Sequence, residues 1–238
     1  MVVQWDRRGA GKSFSAGEPE QMRVSQEVAD VIALIQSLQL RFGQQRVILV
    51  GHSYGSYLGV AVVRQRPDLV RAYVGVGQIA CTNVEEVAIQ DAWLRSQASA
   101  AGDQKTIFAI DSGLPWDRES ALFQYGGEVS TMKSFLSLVM IGLRAPEYSF
   151  SDAMNVKRGV DFTHAHLIDD GPGEPLYTTA SRLDVPVYFF TGRRDYTAPF
   201  ECTQRYFQAL QAPTKQFVWF VKVPILRSSR NRSAFAMN

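Results

Sequence analysis

The chain is poor in three things that would each announce a particular chemistry: cysteine, histidine and an excess of charge. Cysteine occurs twice in 238 residues, as Cys81 and Cys202. Two thiols build no disulfide framework, so a reducing, cytoplasmic compartment is expected. Histidine occurs three times, as His52, His164 and His166. The His164-Ala165-His166 spacing lacks a cysteine or carboxylate cluster at ligand spacing, although Asp169 and Asp170 are near. Surface histidines are expected there, and no metal or other cofactor. A formal net charge of +2 gives no reason to expect nucleic acid or an anionic membrane as partner. Long apolar runs are missing too: the longest, Phe135 to Leu143, is far too short to span a bilayer. Met1 runs straight into Val2-Val3-Gln4-Trp5 rather than into a signal peptide. There is no fixed-period repeat and no low-complexity tract. What remains is an ordinary globular composition, 46% hydrophobic and 20% charged, enough for one large domain or a domain with an insertion.

Val2 to Asp6 reads as a short strand that breaks at Arg7-Arg8-Gly9-Ala10-Gly11. Val24, Val28, Val31, Ile32, Ile35, Leu38 and Phe42 then recur at helical spacing, with Gly43 as the stop. Val47-Ile48-Leu49-Val50 is continuous and mostly β-branched, which predicts a strand buried on both faces of a parallel sheet. Tyr54 to Arg66 reads as a helix ended by Pro67, and Ala72 to Val76 as another buried strand. Strand, helix, strand is a βαβ unit. From about Val84 to Ser181 the chain has helical patches, Val84 to Ala101 and Thr131 to Leu143, and no convincing strands. The rhythm returns with a strand at Val187 to Thr191, a helix from Pro199 to Ala212 and a strand at Gln216 to Phe220. The expected organisation is a parallel-sheet core (1–83 and 182–220), a mostly helical insertion (84–181) and a basic, acid-free tail (221–238).

Gly51-His52-Ser53-Tyr54-Gly55 carries the chemistry. The letters Gly-x-Ser-x-Gly are common by chance, but here a buried strand precedes them and a helix follows. A serine on such a turn sits in a strained conformation with its hydroxyl aimed away from the sheet. Side chains at 51 and 55 are expected to collide with the neighbouring strand and helix. The backbone N–H of Tyr54, at the helix start, can donate to an oxyanion. The competing reading is a Gly-rich turn with a helix-capping serine. A serine hydroxyl also needs a base, and the base an orienting acid. Asp195, in Gly192-Arg193-Arg194-Asp195-Tyr196 just past a strand, has the right chain order and the right sheet edge for the acid. A solvated turn aspartate is the alternative. The base is unassigned: no histidine follows Asp195, and His52, beside the nucleophile, is badly placed to reach its hydroxyl.

Val3-Gln4-Trp5-Asp6-Arg7-Arg8-Gly9-Ala10-Gly11-Lys12-Ser13 resembles the "WDQRGxGxS" stretch of proline iminopeptidases and related α/β-hydrolases, and Gly51 to Ser56 resembles their nucleophile elbow. Val74 to Gln78 and Asp184 to Pro199 share the family's character, and the likeness runs from Val2 to about Phe220. The resemblance implies the α/β-hydrolase fold: an eight-stranded, mostly parallel sheet flanked by helices, with a helical cap insertion. It implies a serine hydrolase working through an acyl-enzyme on Ser53, with Asp195 orienting the base. The implied substrate is a small molecule or short peptide with an N-terminal proline or similar small residue. Cap carboxylates hold the substrate amine in that family, and no position here is matched to them. Esterases and amidases are relatives, whereas epoxide and haloalkane hydrolases carry Asp where Ser53 stands.

Two departures qualify this. The family's early strands and "HGGPG" oxyanion loop precede the Trp-Asp-Gln-Arg-Gly stretch, where this chain begins, so the second oxyanion donor is expected to be missing. Losing one such donor costs on the order of 100- to 1,000-fold in rate. After Phe220, where the family places its histidine, the chain reads Val-Lys-Val-Pro-Ile-Leu-Arg-Ser-Ser-Arg, as in a shifted reading frame or a degraded gene copy. The alternative function is therefore a catalytically inactive fragment or a non-catalytic binding module. A base from His164, His166 or a partner chain is a third reading. Without the early strands a sheet edge is expected to lie open, which favours self-association.

Overall fold

The computed structural model describes residues 2–127, 140, 143–171 and 173–220. Helix α1 (Val24–Phe42) buries Val24, Glu27, Val28, Val31 and Ile35 on one face and ends at Gly43, which takes the left-handed conformation (φ 63°). Strand β1 (Val47–His52) leads through Ser53 into α2 (Tyr54–Gln65), and β2 (Val70–Val76) follows. The segment after β2 is helical, with α3 (Asn83–Ala101), α4 (Gln104–Ser112), α5 (Arg118–Tyr125), α6 (Phe150–His166) and the short α7 (Leu176–Thr179). Helix α3 starts on a capping box in which Thr82 and Glu85 satisfy each other's backbone N–H groups. Strand β3 (Val187–Gly192), α8 (Phe200–Ala209) and β4 (Lys215–Phe220) complete the described chain.

The four strands form one parallel sheet in the order β1-β2-β3-β4. The register sets two faces. Leu49, Tyr73 and Val187 line up on one face, where Gly51, Gly75, Phe189 and Phe217 also sit. Helices α2 and α8 pack there: the Gly59 backbone of α2 approaches the Tyr73 ring, and Tyr206 of α8 lies 5.5 Å from Phe189. This side holds the main core, which α1 and α7 extend. On the opposite face burial is partial in β2 and β3, where buried and half-buried residues alternate. Ile48 and Val50 of β1 are each 61% exposed.

Several expectations change. Residues 2–6 form no strand, since strand geometry is stabilised by a neighbour and no described strand lies beyond β1. The apolar run of β1 is covered on one face only, so a β-branched sequence was no guide to burial on both. The described sheet has four strands where the family resemblance implied eight. The helix expected at 131–143 falls almost wholly outside the described residues. Finally, the two cysteines are joined: Cys81, where β2 gives way to the helical segment, bonds to Cys202 of α8, with Cα atoms 5.4 Å apart. The pair is separated by 121 residues, which is why nothing local revealed it. Cysteine scarcity therefore gives no support for a reducing compartment. No helix among the described residues is long and apolar enough to cross a membrane.

Candidate active site

The β1–α2 turn is built around Ser53, the one non-glycine described residue with positive φ (51°, ψ −124°). Residues persist in such conformations only where their surroundings over-determine them. Here the Ser53 N–H donates to the Val76 carbonyl of β2 (2.9 Å), while the Ser53 carbonyl accepts from the Ser56 N–H (2.8 Å) and Ser56 Oγ (2.5 Å). Ser56 is fully buried and its hydroxyl also accepts the Ile79 N–H (3.0 Å), tying the elbow to the chain leaving β2. A Cβ on Gly51 would stand 2.3 Å from the Gly55 carbonyl oxygen, so the expected collision is real there. At Gly55 it is not: a Cβ would meet nothing within 4 Å. Tyr54 opens α2, and first-turn N–H groups have no acceptor inside their own helix. Its phenol donates to Glu27 (2.7 Å), a fully buried carboxylate that also accepts from Arg7 (2.6 Å). The Trp-Asp-Arg-Arg stretch thereby reaches the residue next to the serine.

Asp195 lies in the loop after β3. Its Oδ1 accepts the Ala198 N–H (2.9 Å), and its Oδ2 sits 3.1 Å from where a Gly77 Cβ would be. Gly77 directly follows Val76, the acceptor of the Ser53 N–H. The structure thus gathers Ser53 and Asp195 at the carboxyl edge of the sheet, after β1 and β3 on either side of β2, with no hydrogen bond between them. Burial pushes the Asp195 carboxyl up to about 6, against the pull of the Ala198 and Thr197 N–H groups. The loop is roofed by α3: Trp93 stacks on Tyr196 at 4.2 Å, and Gln90 donates to the Thr197 carbonyl.

One neighbour escaped sequence reasoning. Glu86 of α3 has a buried Oε1 without a partner among the described residues. Burial first, then the charges of Asp195 and Glu85, push its pKa up to about 8. The adjacent Glu85 is spent on the helix cap and on Tyr177 and Arg205. A capping box at Thr82-x-x-Glu85 was legible, and it leaves Glu86 without a capping role; that was the available signal. Glu201, at the start of α8, likewise has a buried oxygen without a partner among the described residues, and burial raises its pKa.

All three histidines are described, and none bonds to Ser53. His52 pairs in register with Val76 and projects to the sheet face opposite α2, as alternation along a strand requires. His164 and His166 are exposed in the last turn of α6, the latter against Phe162 at 4.7 Å. Among the described residues no group of three or more His, Cys, Asp or Glu could hold a metal ion.

A family model described as "alpha/beta hydrolase fold" matches residues 2–217. The chain is 29% identical over 229 residues to "Probable aminopeptidase YbaC" of Bacillus subtilis, covering 92% of this chain and 71% of that one. Among solved structures it is similar to VinJ (TM-score 0.55, 16% identity, 90% of this chain and 70% of that one). It is similar also to a proline iminopeptidase of Mycobacterium smegmatis (TM-score 0.53, 15% identity, 90% and 70%). At such identities the two structures speak for the fold alone.

Proposed function

The chain belongs to the α/β-hydrolase fold family, and we propose that within it the chain carries the site of a serine hydrolase of aminopeptidase type. In this reading Ser53 is the nucleophile, the Tyr54 N–H receives the oxyanion and Asp195 orients the base. The observation that carries it is the strained Ser53 at a strand-to-helix turn, with a buried carboxyl at the same edge of the sheet, two strands away. The Ser53 Oγ would attack the carbonyl carbon of the substrate's first residue while its proton passes to the base. The carbon–nitrogen bond then breaks as the leaving amine takes that proton, and water releases the acyl group. The name of the Bacillus relative supports a peptide substrate, and the Trp-Asp-Arg-Arg-Gly stretch supports a proline or other small N-terminal residue.

The base is the open place in this scheme, because a base must come within hydrogen-bond reach of the hydroxyl. It would be brought by a partner chain or by displacement of His164 or His166. The placement of all three histidines away from Ser53 favours a second reading, in which the fold persists without catalysis. Intact-mass labelling with a fluorophosphonate, beside Ser53→Ala, decides between them. Labelling that vanishes in the variant supports the nucleophile; an unlabelled, folded wild type supports the second reading.

A further inference from the structure

Among the described residues nothing covers one face of the sheet, and its make-up is unlike that of an ordinary surface. The helices found against the sheet, α2 and α8, lie on the same side of it. On the other side the register runs from Val50 through Val74 to Tyr188, and from Val76 through Phe190 to Val218. No position of this face carries a charge; its polar members are His52 and Gln216, toward its margins, and Tyr188, between Val74 and Gln216. Ile48 and Val50 stand 61% exposed at one side. A single parallel layer in which one face is left to water is out of keeping with parallel sheets, which are covered on both.

We propose that this face docks against the same face of a second copy of the chain. Three observations select a second copy. The patch is aliphatic and aromatic at its centre, with Val74, Val76, Tyr188 and Phe190, and free of charge there, the composition of an interface core. It presents no charge of either sign, so bringing two identical faces together opposes no like charges, and the net charge of +2 repels weakly. Two copies of one twisted sheet stack naturally, about 10 Å apart and about 30° askew, around a two-fold axis. The size fits as well. Four strands of six or seven residues make a face of about 20 Å by 20 Å, so a pair covers on the order of 800 Å² of flat footprint before side-chain relief is added. That lies near the roughly 1,000 Å² at which specific interfaces begin, so the dimer should be weak and concentration-dependent.

An edge-to-edge alternative competes. Ser53 donates to β2, so by alternation the N–H and C=O groups of Ile48, Val50 and His52 point away from it, toward an edge unpaired among the described residues. Cross-linking separates the two. Both cysteines are held in the disulfide, so an introduced thiol is the one reactive group. Val74, one strand in from the edge, meets its counterpart in face-to-face packing and is held well away from it in edge pairing.

The test is sedimentation velocity of the full chain from low to high micromolar concentration, with Val50→Lys, and copper-catalysed oxidation of Val74→Cys and Val50→Cys. The expected result is a reversible dimer whose dissociation constant rises at least tenfold in Val50→Lys, and a disulfide dimer through Val74→Cys. Val50 is already mostly in water, so the lysine variant should keep the wild-type far-UV spectrum and urea midpoint. A wild type that stays monomeric throughout overturns the proposal. So does a dimer indifferent to a folded Val50→Lys, or cross-linking through Val50→Cys alone, which would assign the contact to the β1 edge.

Discussion

The buried carboxyls around Asp195 should make this protein more stable in mild acid than in mild base. Glu86 has its pKa raised from the usual 4.5 to about 8, first by burial and then by Asp195 and Glu85. A raised carboxyl pKa means that the folded state holds a proton that the unfolded chain has released. Unfolding free energy therefore falls as pH rises. The contribution is fully present below the unfolded value near 4.5 and is lost as pH climbs through about 8. At about 1.4 kcal/mol per pKa unit, Glu86 alone should remove about 4 kcal/mol of stability between roughly pH 5 and pH 8.5. For a chain of this size that corresponds to roughly 8 to 16 °C in Tm. Asp195, raised to about 6, adds to the loss in the lower part of the window. The two carboxyls interact, so their contributions belong to the pair and do not simply sum. Glu86→Gln keeps the shape and removes the titration, and it should flatten most of the profile above pH 6.5 while leaving the midpoint near pH 5 almost unchanged. Urea unfolding followed by far-UV circular dichroism at half-unit pH steps measures this. Parallel profiles for wild type and Glu86→Gln would refute the reasoning, because they would show that Glu86 ionises in the folded state as it does in water.

Two further outcomes follow from local geometry. Gly51→Ala places a Cβ 2.3 Å from the Gly55 carbonyl oxygen and should cost about 1 to 3 kcal/mol or more in urea unfolding; Gly55→Ala, which meets nothing within 4 Å, should be neutral or stabilising by a few tenths of a kcal/mol. Breaking the Cys81–Cys202 bond releases a loop of 121 residues and should lower stability by roughly 2 to 5 kcal/mol, read as a lower Tm of Cys81→Ser/Cys202→Ser at neutral pH; an unchanged Tm would mean that the bond contributes nothing to folding.

What was legible in the sequence was local and periodic. The apolar spacing that forms α1 and its stop at Gly43 could be read directly, as could the strands on either side of the elbow and the strand at Val187 to Thr191. What was not legible depends on what arrives from elsewhere. The run Val47 to Val50 reads the same whether one face or two are covered, because β-branched residues suit the pleated surface in either case. Residues 2–6 are apolar enough for a strand, yet a strand is a pairing and not a composition. The raised pKa of Glu86 comes from the stacking of α3 over the loop of Asp195, more than a hundred residues downstream; the capping box at Thr82-x-x-Glu85 leaves Glu86 free of the cap but does not say what it is buried against.

The same distinction bears on how far the elbow argues for catalysis. Ser53 is held by contacts made within the fold itself: the Val76 carbonyl, both donors of Ser56, and the bare Gly51 against Gly55. The Arg7–Glu27–Tyr54 network fixes the next residue with equal independence of any substrate. A strained serine maintained in this way survives whether or not a base stands beside it, since removing a histidine leaves each of those contacts in place. Asp195 is different. Its carboxyl is pushed up to about 6 by burial, with no cation among the described residues drawing it down, and an imidazolium at hydrogen-bond distance would pull it down again. The state of Asp195, more than the shape of the Ser53 turn, therefore distinguishes a working site from one that has kept only its architecture.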